Sequence, residues 1–159
     1  HFDGKVKLGF RNRIHEAMDI LDLDILNKKK AVFEVKRDLG EMKAKDIDMF
    51  HPYDDFLFAV MLKTEQCGFA KKGQGSQFLL NTDLGPKGTL PINTGGGQIS
   101  CGQPGLAGGG INLVEAVRQL MGEGKGRQVP NARNAMVTGI GVIPYGRNWG
   151  SANAMVLVN

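Results

Sequence analysis

The run from Leu90 to Leu120 constrains this chain more than any other. Two glycine clusters, Gly95-Gly96-Gly97 and Gly108-Gly109-Gly110, bracket a polar turn that holds Cys101-Gly102-Gln103-Pro104-Gly105, and the second cluster passes straight into Ile111-Asn112-Leu113-Val114-Glu115-Ala116-Val117-Arg118-Gln119-Leu120. Glycine tolerates positive φ and lets a ligand or another backbone come close, so this density between a strand and a helix predicts a shaped loop and not a flexible tail. That loop is the candidate site.

The remaining pattern alternates helix and strand. Ile14, Ala17, Met18, Leu21 and Ile25 recur at spacings of three and four, which predicts an amphipathic helix over Arg11 to Leu26, and Ala31, Val32, Val35, Leu39 and Met42 repeat the pattern. Lys45 to Pro52 reads as a short strand that Pro52 confines, because proline cannot donate to a ladder. Asp54 or Asp55 is placed to cap a helix through Leu57, Val60, Met61 and Thr64, with Gly68 as its stop and a loop over Phe69 to Gln77. Asn81 to Gly88 is turn chemistry. After the glycine-rich loop, Ile111 to Leu120 is a helix ended by Gly122, Asn134 to Val142 a strand, Ile143 to Gly150 a turn, and Ser151 to Val158 a closing strand. This order predicts an α/β layer structure.

Bulk properties exclude several classes. With 159 residues, 42% apolar, the chain suits one domain with a real core. The net charge of +4 is spread out, with Lys28-Lys29-Lys30 as the only run and no interleaved aromatics, so nucleic acid is not an expected partner. Cys67 and Cys101 lack CxxC spacing, which argues against a disulfide framework or a zinc site. No apolar stretch approaches the roughly 20 residues of a membrane span and no signal peptide opens the sequence, so a cytoplasmic location is expected.

Three segments resemble the C-terminal half of the thiolase superfamily, in the branch of sterol-carrier-protein thiolases and lipid-transfer-protein aldolases. That branch carries Leu-Pro-x-Asn-Thr-Gly-Gly-Gly, a Gly-His-Pro turn, and a helix ending in Glu-Ala-x-x-Gln-Leu-x-Gly; here they are Leu90 to Gly97, Gly102 to Gly105, and Glu115 to Gly122. Tyr53-Asp54-Asp55-Phe56, Gly68-Phe69 and Thr138-Gly139-Ile140-Gly141 extend the likeness. The resemblance covers residues 31–159 as a thiolase-like C-terminal domain and leaves 1–30 as a helical extension or linker. It implies a layered mixed β-sheet with helices on its faces. It also implies an acyl-CoA substrate, with coenzyme A as part of that substrate and no other cofactor. A homodimer core and a partner subunit with an OB-fold and zinc ribbon are implied as well. The acylated cysteine of the family belongs to an N-terminal half that has no counterpart here.

The departures from the family carry the functional reading. Gln103 stands at the activating histidine, and glutamine is no base near neutral pH. Gly139 stands at the proton-shuttling second cysteine, and Tyr53-Asp54-Asp55-Phe56 replaces the usual Asn-Glu-Ala-Phe segment. Aldolases of the branch need no acyl-enzyme, only a base for the β-hydroxyl and an acid for the enolate, and tyrosines supply these. Tyr53 and Tyr145 are the two tyrosines of the chain. Tyr145 has Arg147 near in sequence, and His51 is a substitute base. Backbone amides of the loop at Gly95, Gly96, Gly97, Gly102 and Gly105, with Asn93 and Gln103, are expected to hold the thioester oxygen as charge develops. Cys101 at the turn, and Gly139 and Gly141 at the end of the strand, complete the expected substrate-binding set. The alternative is a non-catalytic acyl-CoA-binding or assembly subunit that kept the fold and lost the chemistry.

Overall fold

A computed structural model of the chain describes residues 5–9, 42–141 and 151–159. The expected helices over Arg11 to Leu26 and Ala31 to Met42 lie outside these residues apart from Met42, as do Tyr145 and Arg147. Four strands form one mixed sheet: β1 (Lys5–Gly9), β2 (Phe50–His51), β3 (Asn134–Gly141) and β4 (Ser151–Val158), in the order β1-β4-β3-β2. β4 runs antiparallel to both β1 and β3, and β2 runs parallel to β3 with Phe50 opposite Met136. β1 falls within the segment read as a helical extension or linker, where Lys5-Val6-Lys7-Leu8 has the two-residue period of a strand.

The helices are α1 (Leu57–Gln66), α2 (Gly75–Asn81), α3 (Gly97–Cys101) and α4 (Gly108–Leu120). Strand alternation sends β3 side chains to opposite faces. Ala135 and Val137 pack with Met49, Leu157 and the α4 residues Ala116 and Leu120. Met136 and Val156 pack with Ile47, Phe50 and Leu90, against which Phe69 and the α2 residue Phe78 also lie. The sheet is therefore covered on both faces, as the layered reading requires.

Two expectations change. The strand over Lys45 to Pro52 shrinks to Phe50–His51, because Asp48 turns aside: its carboxylate accepts the Arg133 and Asn134 amides, while its own amide donates to Asn134 Oδ1. The loop over Phe69 to Gln77 gives way at Gly75 to α2, whose first amide donates to Glu65 Oε1 at 2.7 Å. The helix stops hold. Gly68 and Gly122 both have positive φ, and each terminus closes with the paired backbone bonds of a Schellman turn: Gly68 to Glu65 with Phe69 to Thr64, and Gly122 to Gln119 with Glu123 to Arg118.

Candidate functional site

The parallel strands β2 and β3 point their C-terminal ends the same way, the position at which α/β sheets take ligands. Immediately after β2 comes Tyr53, and β3 ends in Thr138, Gly139, Ile140 and Gly141. These residues, with Gly105 in the turn before α4, Gly109 and Leu113 on α4, and Asn153 and Met155 on β4, line one cavity of about 470 Å³. Of its lining residues, only Tyr53, Thr138 and Asn153 have polar side chains.

Tyr53 is fixed along its whole length. Its N–H donates to Thr138 Oγ1 at 3.3 Å, its carbonyl accepts from Lys63 Nζ at 2.7 Å, and its hydroxyl accepts from Gln103 Nε2 at 3.0 Å. Gly108 makes the last contact possible: a Cβ there would sit 3.3 Å from both the Tyr53 hydroxyl and Gln103 Cγ. Gly139 likewise leaves room for a neighbour, since a Cβ would lie 2.7 Å from Asn153 Oδ1. The structure thus brings Tyr53, Gln103, Gly105, Gly139 and Gly141 together.

The other candidates stand elsewhere. Asn93 adopts φ 44° and donates its side-chain amide to the Pro52 carbonyl at 3.0 Å, a carbonyl that Asn112 also reaches at 2.7 Å. Asn93 therefore ties the loop to the segment that carries Tyr53. Gly95, Gly96 and Gly97 shape the same loop: Gly95 lies against Glu115 and Gly96 against Ser100 and Cys101, while Gly97 abuts Asp54 so closely that a Cβ would overlap the carboxylate. Exposed Cys101 donates its thiol to the Gly95 carbonyl at 2.8 Å, and Gly102 lies in the open with φ 96°.

Asp54 corrects the capping expectation. α1 begins at Phe56 as N-cap without a side-chain bond, and Asp54 instead accepts the Gln98 amide at 2.9 Å, the Ile99 amide at 3.4 Å and Asn112 Nδ2 at 3.4 Å. It caps α3, across the chain, and so couples the Tyr53 segment to the glycine-rich loop. A second clamp comes from the Glu-Ala-x-x-Gln pattern. Glu115 accepts from Thr94, Gln119 and both Arg127 nitrogens that face it. Burial works to raise the Glu115 carboxyl, but the bonds from Arg127, Gln119 and Thr94 outweigh it and hold the group below the usual carboxylate range.

His51 is fully buried on β2, and neither ring nitrogen has a hydrogen-bond partner. Desolvation lowers its pKa to about 4 against a weak opposing pull from Glu115. Since an unfolded histidine titrates near 6.5, the unfolded chain binds more protons between those two values, and stability is lost as pH falls from about 6.5 to about 4. That span corresponds to about 3 kcal/mol. His51→Phe is expected to flatten this slope, which urea midpoints at pH 6.5 and pH 4 would measure; an unchanged slope would assign the acid loss to other groups.

Lys63 is the residue that sequence reasoning missed. The signal was a lysine three and four residues after Val60 and Ala59 on one helical face, with Leu57 and Phe58 left outside. No cluster of histidine, cysteine and carboxylate side chains suited to a metal ion occurs among the described residues, and none of the described helices is long and apolar enough to cross a membrane.

Comparison with known proteins supports the fold. A family model described as thiolase C-terminal domain-like matches residues 37–156. The acetyl-CoA acetyltransferase of Methanothermobacter thermautotrophicus is 31% identical over 129 residues, covering 80% of this chain and 33% of that protein. Sterol carrier protein 2 of Bos taurus is 35% identical over 101 residues, 64% of this chain and 19% of the relative. Among solved structures, the Ltp2-ChsH2(DUF35) aldolase superposes with a TM-score of 0.62 at 26% identity, covering 76% of this chain and 28% of its own. The chain spans a third or less of the length of these proteins.

Proposed function

The chain belongs to the thiolase C-terminal domain-like family, and from that premise we propose that it forms the C-terminal part of an acyl-CoA enzyme that breaks or makes a carbon–carbon bond next to a thioester, by retro-aldol cleavage and not by Claisen chemistry. One observation carries the reading: Tyr53, whose hydroxyl is bonded to Gln103 where the family places its histidine, lines the same cavity as Gly139, where the family places its second cysteine. The substrate is a β-hydroxyacyl-CoA. A base takes the proton of the β-hydroxyl, the Cα–Cβ bond breaks, and its electron pair passes to the thioester as an enolate. The β-carbon leaves as a ketone or aldehyde, and an acid returns a proton to Cα. Because Gln103 donates to the Tyr53 oxygen, the Tyr53 O–H is free to donate into the cavity, which suits the acid; Tyr145 is assigned the base. Amides of the glycine-rich loop stabilise the enolate oxygen. A homodimer core and a partner subunit with an OB-fold and zinc ribbon complete the proposed assembly.

A second reading, an acyl-CoA-binding or assembly subunit without catalysis, draws on one fact: none of the described residues lining the cavity is a histidine, a cysteine or a charged side chain. Incubating the assembled protein with a β-hydroxyacyl-CoA separates the two. Release of a ketone or aldehyde is expected, with no thiolytic cleavage of a 3-ketoacyl-CoA. Binding without turnover would select the second reading, and thiolysis would sink the lyase.

A further inference from the structure

Lys63 is only 3% exposed, on a helix whose buried positions are otherwise Ala59, Val60 and Thr64. Its Nζ donates to the Tyr53 carbonyl at 2.7 Å and lies 5.1 Å from the centre of the Tyr53 ring. Enclosing an ammonium is costly, and one carbonyl with one ring face replaces only part of its hydration. A methionine would fill similar space without that cost, so the charge has to be explained by what it touches. It touches Tyr53 twice.

We propose that Lys63 is the positioning residue of Tyr53: its ammonium, lying over the ring and bonded to the carbonyl of the same residue, sets the ring so that the hydroxyl meets Gln103 and opens on the cavity. This rests on the reading of Tyr53 as the reacting group. The grip is adjustable. Burial draws the Lys63 ammonium down to about 7, while the Asp55 and Asp54 carboxylates pull the other way. Asp54 and Asp55 precede α1 and Cys67 follows it; these are the titratable groups that face Lys63 among the described residues, besides Tyr53 itself. Burial raises the Cys67 thiol to about 12, so it stays neutral, and burial raises the Asp55 carboxyl against the pull of Lys63. Above a pH of about 7 the lysine loses its charge, and with it the cation–π contact and the charge-assisted bond.

The test uses the full chain in its assembly, with 13C-labelled tyrosine. The Tyr53 ring resonance, identified by its loss in Tyr53→Phe, is expected to shift with a midpoint near pH 7 in the wild type and to stay flat through that range in Lys63→Met. Lys63→Met is also expected to raise Tm, since a desolvated charge is removed, while kcat for cleavage falls about 10- to 100-fold with KM nearly unchanged. A merely structural lysine would lower Tm on removal. A Tyr53 resonance that stands and titrates alike in the wild type and in Lys63→Met overturns the proposal whatever the reaction proves to be. A titrating resonance in a protein without cleavage activity upholds the placement of Tyr53 by Lys63 and overturns the lyase reading alone. Should Lys63→Met fail to fold, Lys63→Gln takes its place in the same comparison of Tyr53 resonances.

Discussion

Asp54→Ala is expected to lower the unfolding free energy by about 3 kcal/mol, a fall in Tm on the order of 10 °C, because it strips buried donors of a charged acceptor. The Gln98 amide and Asn112 Nδ2 lie in the interior and have no water to turn to. Gly97, pressed against the carboxylate, would face a void. Asp54→Asn keeps the volume but offers one acceptor where two oxygens served, so an intermediate loss is expected. Asp55→Ala is the control. Its Oδ1 is buried without a partner and burial raises its carboxyl, so removing it should cost less than about 1 kcal/mol. Urea denaturation of the three variants decides the matter: equal losses for Asp54→Ala and Asp55→Ala would mean that Asp54 does not hold the glycine-rich loop in solution.

This contrast marks where sequence and structure part. Strands β3 and β4 and the helix α4 were legible from local pattern: Asn134 to Gly141 and Ser151 to Val158 are short runs rich in apolar residues, and Ile111 to Leu120 repeats at helical spacing before Gly122. The family resemblance singled out the loop and marked Gln103 and Gly139 as departures from the family's pattern. Partnership was not legible. Asp54 has the local signature of a cap for the helix that follows it, yet its bonds go to α3, more than forty residues away. α2 is short and begins at Gly75 among lysines and glycines, where composition argues for a loop, and tertiary contacts of Phe78 and the bond to Glu65 decide otherwise. The phase of α1 also escaped: periodicity favoured Leu57 as an inward residue, whereas it is 73% exposed beside exposed Phe56 and Phe58, and Lys63 faces inward. A helical stripe is read from hydrophobicity, and a buried ammonium that answers a carbonyl and a ring has no hydrophobic signature.

Tyr53→Phe carries the largest expected effect on activity, a loss of about 10²- to 10⁴-fold in kcat for cleavage of a β-hydroxyacyl-CoA, the range for removing a group that transfers a proton in the transition state. The substitution separates that proton from everything else the residue does. The phenyl ring keeps its place beside Lys63, the main chain keeps its bonds to Thr138 and Lys63, and the cavity wall is unchanged but for one oxygen. KM should therefore move little, and the stability cost should stay near 1 kcal/mol, the worth of one hydrogen bond to the exposed Gln103. Gln103→Ala removes the same hydrogen bond from the other side and leaves the hydroxyl in place, so a smaller loss is expected there. If Phe at position 53 and Ala at position 103 lowered kcat equally, the Tyr53–Gln103 contact and not the Tyr53 proton would be what the reaction requires. A Tyr53→Phe enzyme with undiminished turnover would remove Tyr53 from the chemistry altogether.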